Sequence, residues 1–140
     1  MDLKDLPWCK YHNTVEYLPR EELIRRIDEV PLTVELIKSF LDNWVLSFQF
    51  IDAGEEYHAM SYSIPSNDLS HGFSKFGMMI NSGISLEDKA ESIIHEAVHL
   101  IYKARDTNEL EPIVVEASKK LYNEDKELFN SFVEKYLLVK

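Results

Sequence analysis

The stretch MMINSGISLEDKAESIIHEAVHLI, residues 78–101, decides how the rest of the chain is read. Its beginning belongs to FGMMIN, residues 76–81, a short apolar run with the character of a strand, closed by Ser82-Gly83. Ser85 is a good helix N-cap, and Glu87 and Asp88 put negative charge in the first turn. The helix is expected to run to about Ala104. Leu86, Ala90, Ile93, Ile94, Ala97, Ile101 and Ala104 form one apolar stripe along it. At roughly 100° per residue, His95 and His99 point away from that stripe, toward a cleft or solvent. Residues four apart stand one turn above each other, so two imidazoles at this spacing reach a single metal ion. Glu96, about 100° round the helix from His95, can approach a water on that ion without being a ligand. HEAVH, residues 95–99, is therefore the HExxH pattern of zinc hydrolases, set on a capped helix with the histidines on its polar face. The plainer explanation is a solvated helix face on which two histidines coincide.

A catalytic zinc site takes three protein ligands and keeps a fourth position for water. The residues after His99, LIYKARDTNEL, hold no His and no Gly, which excludes the metzincin extension. A glutamate from the following helix is the natural third ligand. Asn108 and Glu111 have the spacing of a capping box, Pro112 fits a first turn, and the helix is expected to run to about Tyr122. Glu109 and Glu111 stand in that first turn, where dipole and capping already account for them. Glu116 sits mid-helix in IVVEAS, beside the stripe of Leu110, Ile113, Val114, Ala117 and Leu121, where a carboxylate needs a partner. Glu116 is thus the expected third ligand, against the bland alternative of an i,i+4 pair with Lys120.

Outward from this core, PREELIRRIDE, residues 19–29, is expected to be a helix ended by Pro31, and Thr33 caps VELIKSFLDN. WVLSFQFID (44–52) and YHAMSYSI (57–64) have strand character, and 65–75 has loop chemistry. A last helix from about Asn123 carries Leu128, Phe129, Phe132, Val133, Tyr136 and Leu137 on one side. The order of helices, three strands and three helices predicts an α+β fold, with a three-stranded or larger sheet packed on the HExxH helix. Residues 1–140 are expected to form one domain, with 1–43 a helical extension within it.

HEAVH with a downstream helical glutamate resembles the gluzincin zinc peptidases. Within them it is most similar to the compact ImmA/IrrE-like peptidases and the minigluzincins. There a short sheet precedes the HExxH helix, and its last strand often ends in an I-N pair, as MMINSGISLEDKAESIIHEAVHLI does. VVEASKKLY resembles their third-ligand helix, where Glu is followed by Ala. The likeness covers residues 76–122; the strands at 44–64 match in type and order only, and the first 43 residues match nothing. The resemblance implies a zincin-like fold, zinc on His95, His99 and Glu116, and Glu96 as general base. Thermolysin-like enzymes place an acid four residues after the ligand glutamate to orient a histidine; here that position is Lys120.

The expected activity is a zinc-dependent metallopeptidase. The alternatives are a regulatory protease that cuts one repressor protein, as the ImmA/IrrE likeness suggests, and a catalytically inactive zincin-shaped interaction module. Tyr57, His58, Tyr62, His71 and Tyr122 are candidate donors to the transition-state oxyanion, with His71 and Tyr122 foremost. Strand 76–81 either pairs with an extended substrate or is internal to the sheet. Cys9, in CKYH with His12, is a candidate latency ligand for zinc, against the commoner role of a packing residue. With a single cysteine no internal disulfide forms, which fits a cytoplasmic setting. The acidic N-terminus lacks the apolar stretch of a signal peptide, and no segment is long enough to span a membrane. A net charge of −10 disfavours nucleic-acid partners and leaves a peptide or protein as substrate.

Overall fold

A computed structural model describes residues 18–52, 58–64, 75–104 and 107–138. Pro19, extended at the N-cap, starts α1 (Arg20–Glu29). Thr33 starts α2 (Val34–Trp44) by accepting the Leu36 N–H at 3.1 Å, one of the donors a helix start leaves unpaired. Three strands follow: β1 (Val45–Ile51), β2 (Ala59–Ile64) and β3 (Lys75–Asn81). Then come α3 (Leu86–Tyr102), α4 (Glu111–Glu124) and α5 (Lys126–Leu138). The fold is α+β, with five helices and a small mixed sheet among the described residues. No described helix is long and apolar enough to cross a membrane.

The sheet order is β1-β3-β2, with β3 parallel to β1 and antiparallel to β2. Strand 76–81 is therefore internal, the second of its two expected readings. Its alternation turns Phe76, Met78 and Ile80 into the core. There they join the buried side of α3, from Ala90 through Ile93, Ile94, Ala97 and Val98 to Ile101. α1 and α2 add Leu23, Ile37, Phe40 and Leu41 to the same core, and α4 and α5 add Val114, Leu121, Phe129 and Val133. Burying α3 on this side leaves its opposite face to present His95 and His99.

The junction from β3 into α3 is tied down. The buried Asn81 accepts the Gly83 N–H on its Oδ1 at 2.9 Å, and its own N–H donates to the His58 carbonyl at 2.8 Å. Ser82 N–H donates to the Ile51 carbonyl at 2.7 Å. Ser85 then caps α3 by accepting the Asp88 N–H at 3.1 Å, as its residue type predicts.

The next helix begins differently from expectation. Its N-cap, Leu110, makes no side-chain cap bond, and the Asn108–Glu111 capping box does not form. The Thr107 carbonyl takes up the N–H groups of Leu110 and Glu111 at 3.1 and 2.9 Å. The Glu111 side chain is thereby turned toward α3.

Candidate metal centre

His95 and His99 stand one turn apart on α3, with ring centroids 4.8 Å apart. Their Nε2 atoms are 3.1 Å apart. Oε1 of Glu111, in the first turn of α4, lies 2.9 Å from His99 Nε2 and 3.3 Å from His95 Nε2. Three tetrahedral ligands about 2.0–2.1 Å from a zinc ion stand roughly 3.3–3.4 Å from one another. A triangle with edges of 3.1, 2.9 and 3.3 Å has a point about 2.0–2.1 Å from all three corners, roughly 1 Å off its plane. The donor set fits zinc in both size and chemistry. A Glu96 carboxylate oxygen lies within 4.8 Å of a ring nitrogen of each histidine, so it too is a geometric candidate for ligation. Glu111, at 2.9 and 3.3 Å from the two Nε2 atoms, completes the triangle, with Glu96 beside it.

The proton inventory sharpens this. His99 Nδ1 lies 2.6 Å from the Ala104 carbonyl oxygen. A carbonyl only accepts, so Nδ1 carries the proton, and in the neutral ring Nε2 presents its lone pair. That lone pair faces a carboxylate oxygen at 2.9 Å and another imidazole nitrogen at 3.1 Å. Contacts this short require a proton or a cation among them. The Ala104 carbonyl also fills, for His99, the orienting role that a ligand histidine usually has met by an outer partner.

No protein-family model matches the chain, and neither does any curated protein or solved structure.

Two of the trio, His95 and Glu111, line a cleft of about 580 Å³, with His99 behind them. α3 lines it with Asp88, Glu91, Ser92, His95 and Glu96, α4 with Glu111, Val115, Ser118 and Lys119, and the start of β2 with His58 and Ala59. Glu111, Val115 and Ser118 follow i, i+4, i+7, one face of α4. β2 is the edge strand beside this cleft. Burial pushes the Glu91 carboxyl above its ordinary value; Glu87 one turn away adds to the rise and Lys119 across the cleft opposes it. His95 and His99 keep only 21% and 10% of their side chains exposed, and Glu111 30%.

Glu111, and not the expected Glu116, is the glutamate of α4 that stands at the two histidines. Glu116 is exposed and takes no part in the trio. Five residues after Glu111, it points about 140° away round the helix. Glu109 is exposed as well, its Oε1 3.4 Å from the Arg20 N–H. Glu111, for which dipole and capping suffice as a sequence explanation, forms no capping box and reaches the histidines of α3. Its signal in the sequence was the nearness of α4's first turn to the end of α3. Tyr122, an expected oxyanion donor, stands away from the trio. It lies about 16 Å further along α4 than Glu111, is buried, and donates its hydroxyl to Asn130 Oδ1 at 2.8 Å. His58 is the expected donor residue that does line the cleft. Cys9, His12, Tyr57 and His71 lie outside the described residues.

Proposed function

We propose that the chain is a zinc-dependent peptidase of gluzincin type, with His95, His99 and Glu111 as metal ligands and Glu96 as general base. One observation carries this reading: three atoms able to ligate a metal, Nε2 of His95 and of His99 and Oε1 of Glu111, lie within 3.3 Å of one another beside the cleft. Bound there, zinc would supply a Lewis acid for the scissile carbonyl and a water of lowered pKa. Glu96, also on the cleft wall, is the carboxylate that would accept the water's proton and pass it to the leaving amine. His58, across the cleft, is placed to donate to the developing oxyanion. Edge strand β2 offers an extended peptide a backbone to lie against.

The same convergence would also form around a protonated His99 paired with Glu111, and experiment separates the two. Purified protein dialysed against zinc should retain one ion per chain, and His95→Ala should retain none. Glu96→Gln should keep the ion while peptide cleavage falls roughly 10²–10⁴-fold. A wild-type protein that binds no zinc ends the metal reading; equal cleavage by Glu96→Gln ends the assignment of the base.

A further inference from the structure

We infer that Arg26 and Tyr102 are positioning residues for His99, holding the end of α3 in the conformation that turns the Ala104 carbonyl onto His99 Nδ1. The importance of this device rests on the metal reading above; its geometry does not.

α3 ends at Tyr102, and Lys103 turns the chain with φ 54° and ψ 39°. This left-handed conformation normally falls to Gly or Asn at a helix end, and Lys103 is the one non-glycine residue with positive φ among the described residues. A side chain is strained there, so the surroundings must hold the turn. Contacts do so from three directions. From α1, the mostly buried Arg26 donates Nη1–H to the Tyr102 carbonyl at 2.6 Å, while its Nε meets Glu22 at 3.2 Å. A cation also belongs at this negative end of the helix dipole. Tyr102, fully buried, donates its hydroxyl to the Val30 carbonyl at 2.5 Å, just beyond α1. The Lys103 ammonium lies 4.9 Å from the centre of the Phe76 ring on β3.

The product is a closed pair of bonds between two residues. Ala104 N–H donates to the His99 carbonyl at 3.1 Å, and His99 Nδ1–H donates back to the Ala104 carbonyl at 2.6 Å. Ring orientation and tautomer are fixed together. An imidazole free in water favours the proton on Nε2, the nitrogen that must stay bare here. A loosened turn would release the carbonyl, and only a fraction of molecules would then present the Nε2 lone pair. Apparent metal affinity falls by that fraction. No residue of α1 lines the cleft, yet through Arg26 this helix reaches the turn that orients His99 beside it.

Imidazole nitrogen NMR on metal-free protein near pH 8, where an ordinary imidazole is neutral, reads the tautomer directly. Zinc titration against a competing chelator reads the consequence. Wild type should show His99 protonated on Nδ1 and bare on Nε2. Arg26→Met and Tyr102→Phe should show mixed tautomers and bind zinc about 2–5-fold more weakly, the fraction lost to the other tautomer. Arg26→Lys, which keeps the cation, should recover part of both. If Arg26→Met does not fold, Tyr102→Phe decides alone, since it removes one hydroxyl and leaves the ring in place. A wild-type His99 protonated on Nε2 overturns the inference. So do unchanged tautomer and zinc affinity in the folded variants. A tautomer that is correct in wild type and shifts in the variants, without zinc binding by any of them, upholds the inference and sinks the metal reading. Equal, tight zinc binding by all of them does the reverse.

Discussion

Two demands meet at Glu111. As the first residue of α4 its carboxylate suits the positive end of the helix dipole, and a glutamine there would give up only a few tenths of a kcal/mol. As a ligand it supplies one of three metal bonds and the negative charge that offsets a divalent ion. The second demand is far larger, so Glu111→Gln should lower zinc affinity by more than about 100-fold while the fold persists. Glu116→Gln, altering an exposed side chain, should bind zinc as wild type does. A competition titration of both variants measures this, and the opposite ranking would return the ligand role to Glu116. The pair also marks where sequence stops being sufficient. The spacing of His95, Glu96 and His99 within one helix fixes their mutual geometry, and the structure gathers all three at one site as that spacing predicts. A glutamate from another helix is beyond the reach of that spacing. Of the described residues flanking the two helices, a left-handed lysine and a threonine carbonyl hold the ends, and neither carries a recognisable residue signature.

Among the elements, α3 carries the site, and its start was legible because a cap acts locally. Ser85 accepts the Asp88 N–H whatever the rest of the chain does. Ser85→Ala should cost about 1 kcal/mol in a urea titration. A loss below about 0.3 kcal/mol would mean that water replaces the cap. Thr33 and the strand character of β1 and β3 were legible for the same local reason. Strand order was not, because placing β3 between β1 and β2 is a tertiary choice. Nor was the coupling of α1 to the end of α3, since Arg26 and Tyr102 stand 76 residues apart. Glu91, one turn before His95, tests the packing of α3 against α4. Its folded-state pKa is raised by burial, so the folded state holds its proton more tightly than the unfolded state does. The stability this adds is full below the ordinary value of 4.5 and is lost as pH rises through the folded-state pKa. Glu91→Gln should therefore match wild type at low pH and exceed it near neutrality by up to about 0.5 kcal/mol, the range of partly exposed substitutions. Thermal melts across pH would show two curves that diverge upward from about pH 4.5, and curves that coincide throughout would remove the burial argument.

For the whole molecule, charge is the property that bears on substrate choice. The chain carries a net charge of −10. Asp88, Glu91, Glu96 and Glu111 line the cleft against the single lysine Lys119 among its lining residues. A bound divalent ion would neutralise two of those charges at the trio. The wall that runs one to two turns upstream, at Glu91 and Asp88, would remain negative. Low-dielectric walls concentrate such a field along a cleft, which draws cationic ligands and repels anionic ones. Peptides with Lys or Arg near the scissile bond should therefore be cut with higher kcat/KM than the same peptides with Glu, on the order of 10-fold at 0.1 M salt. At that ionic strength the screening length is about 10 Å, comparable to the reach of two helical turns, and at 1 M it is about 3 Å. The preference should accordingly shrink toward parity at 1 M if it arises from the field of the cleft. A preference that survives high salt would point to a direct, desolvated ion pair with one acid, and Glu91→Gln would then abolish it. A preference for acidic peptides at low salt would contradict the charge reading altogether, because no arrangement of these lining residues makes the upstream wall positive.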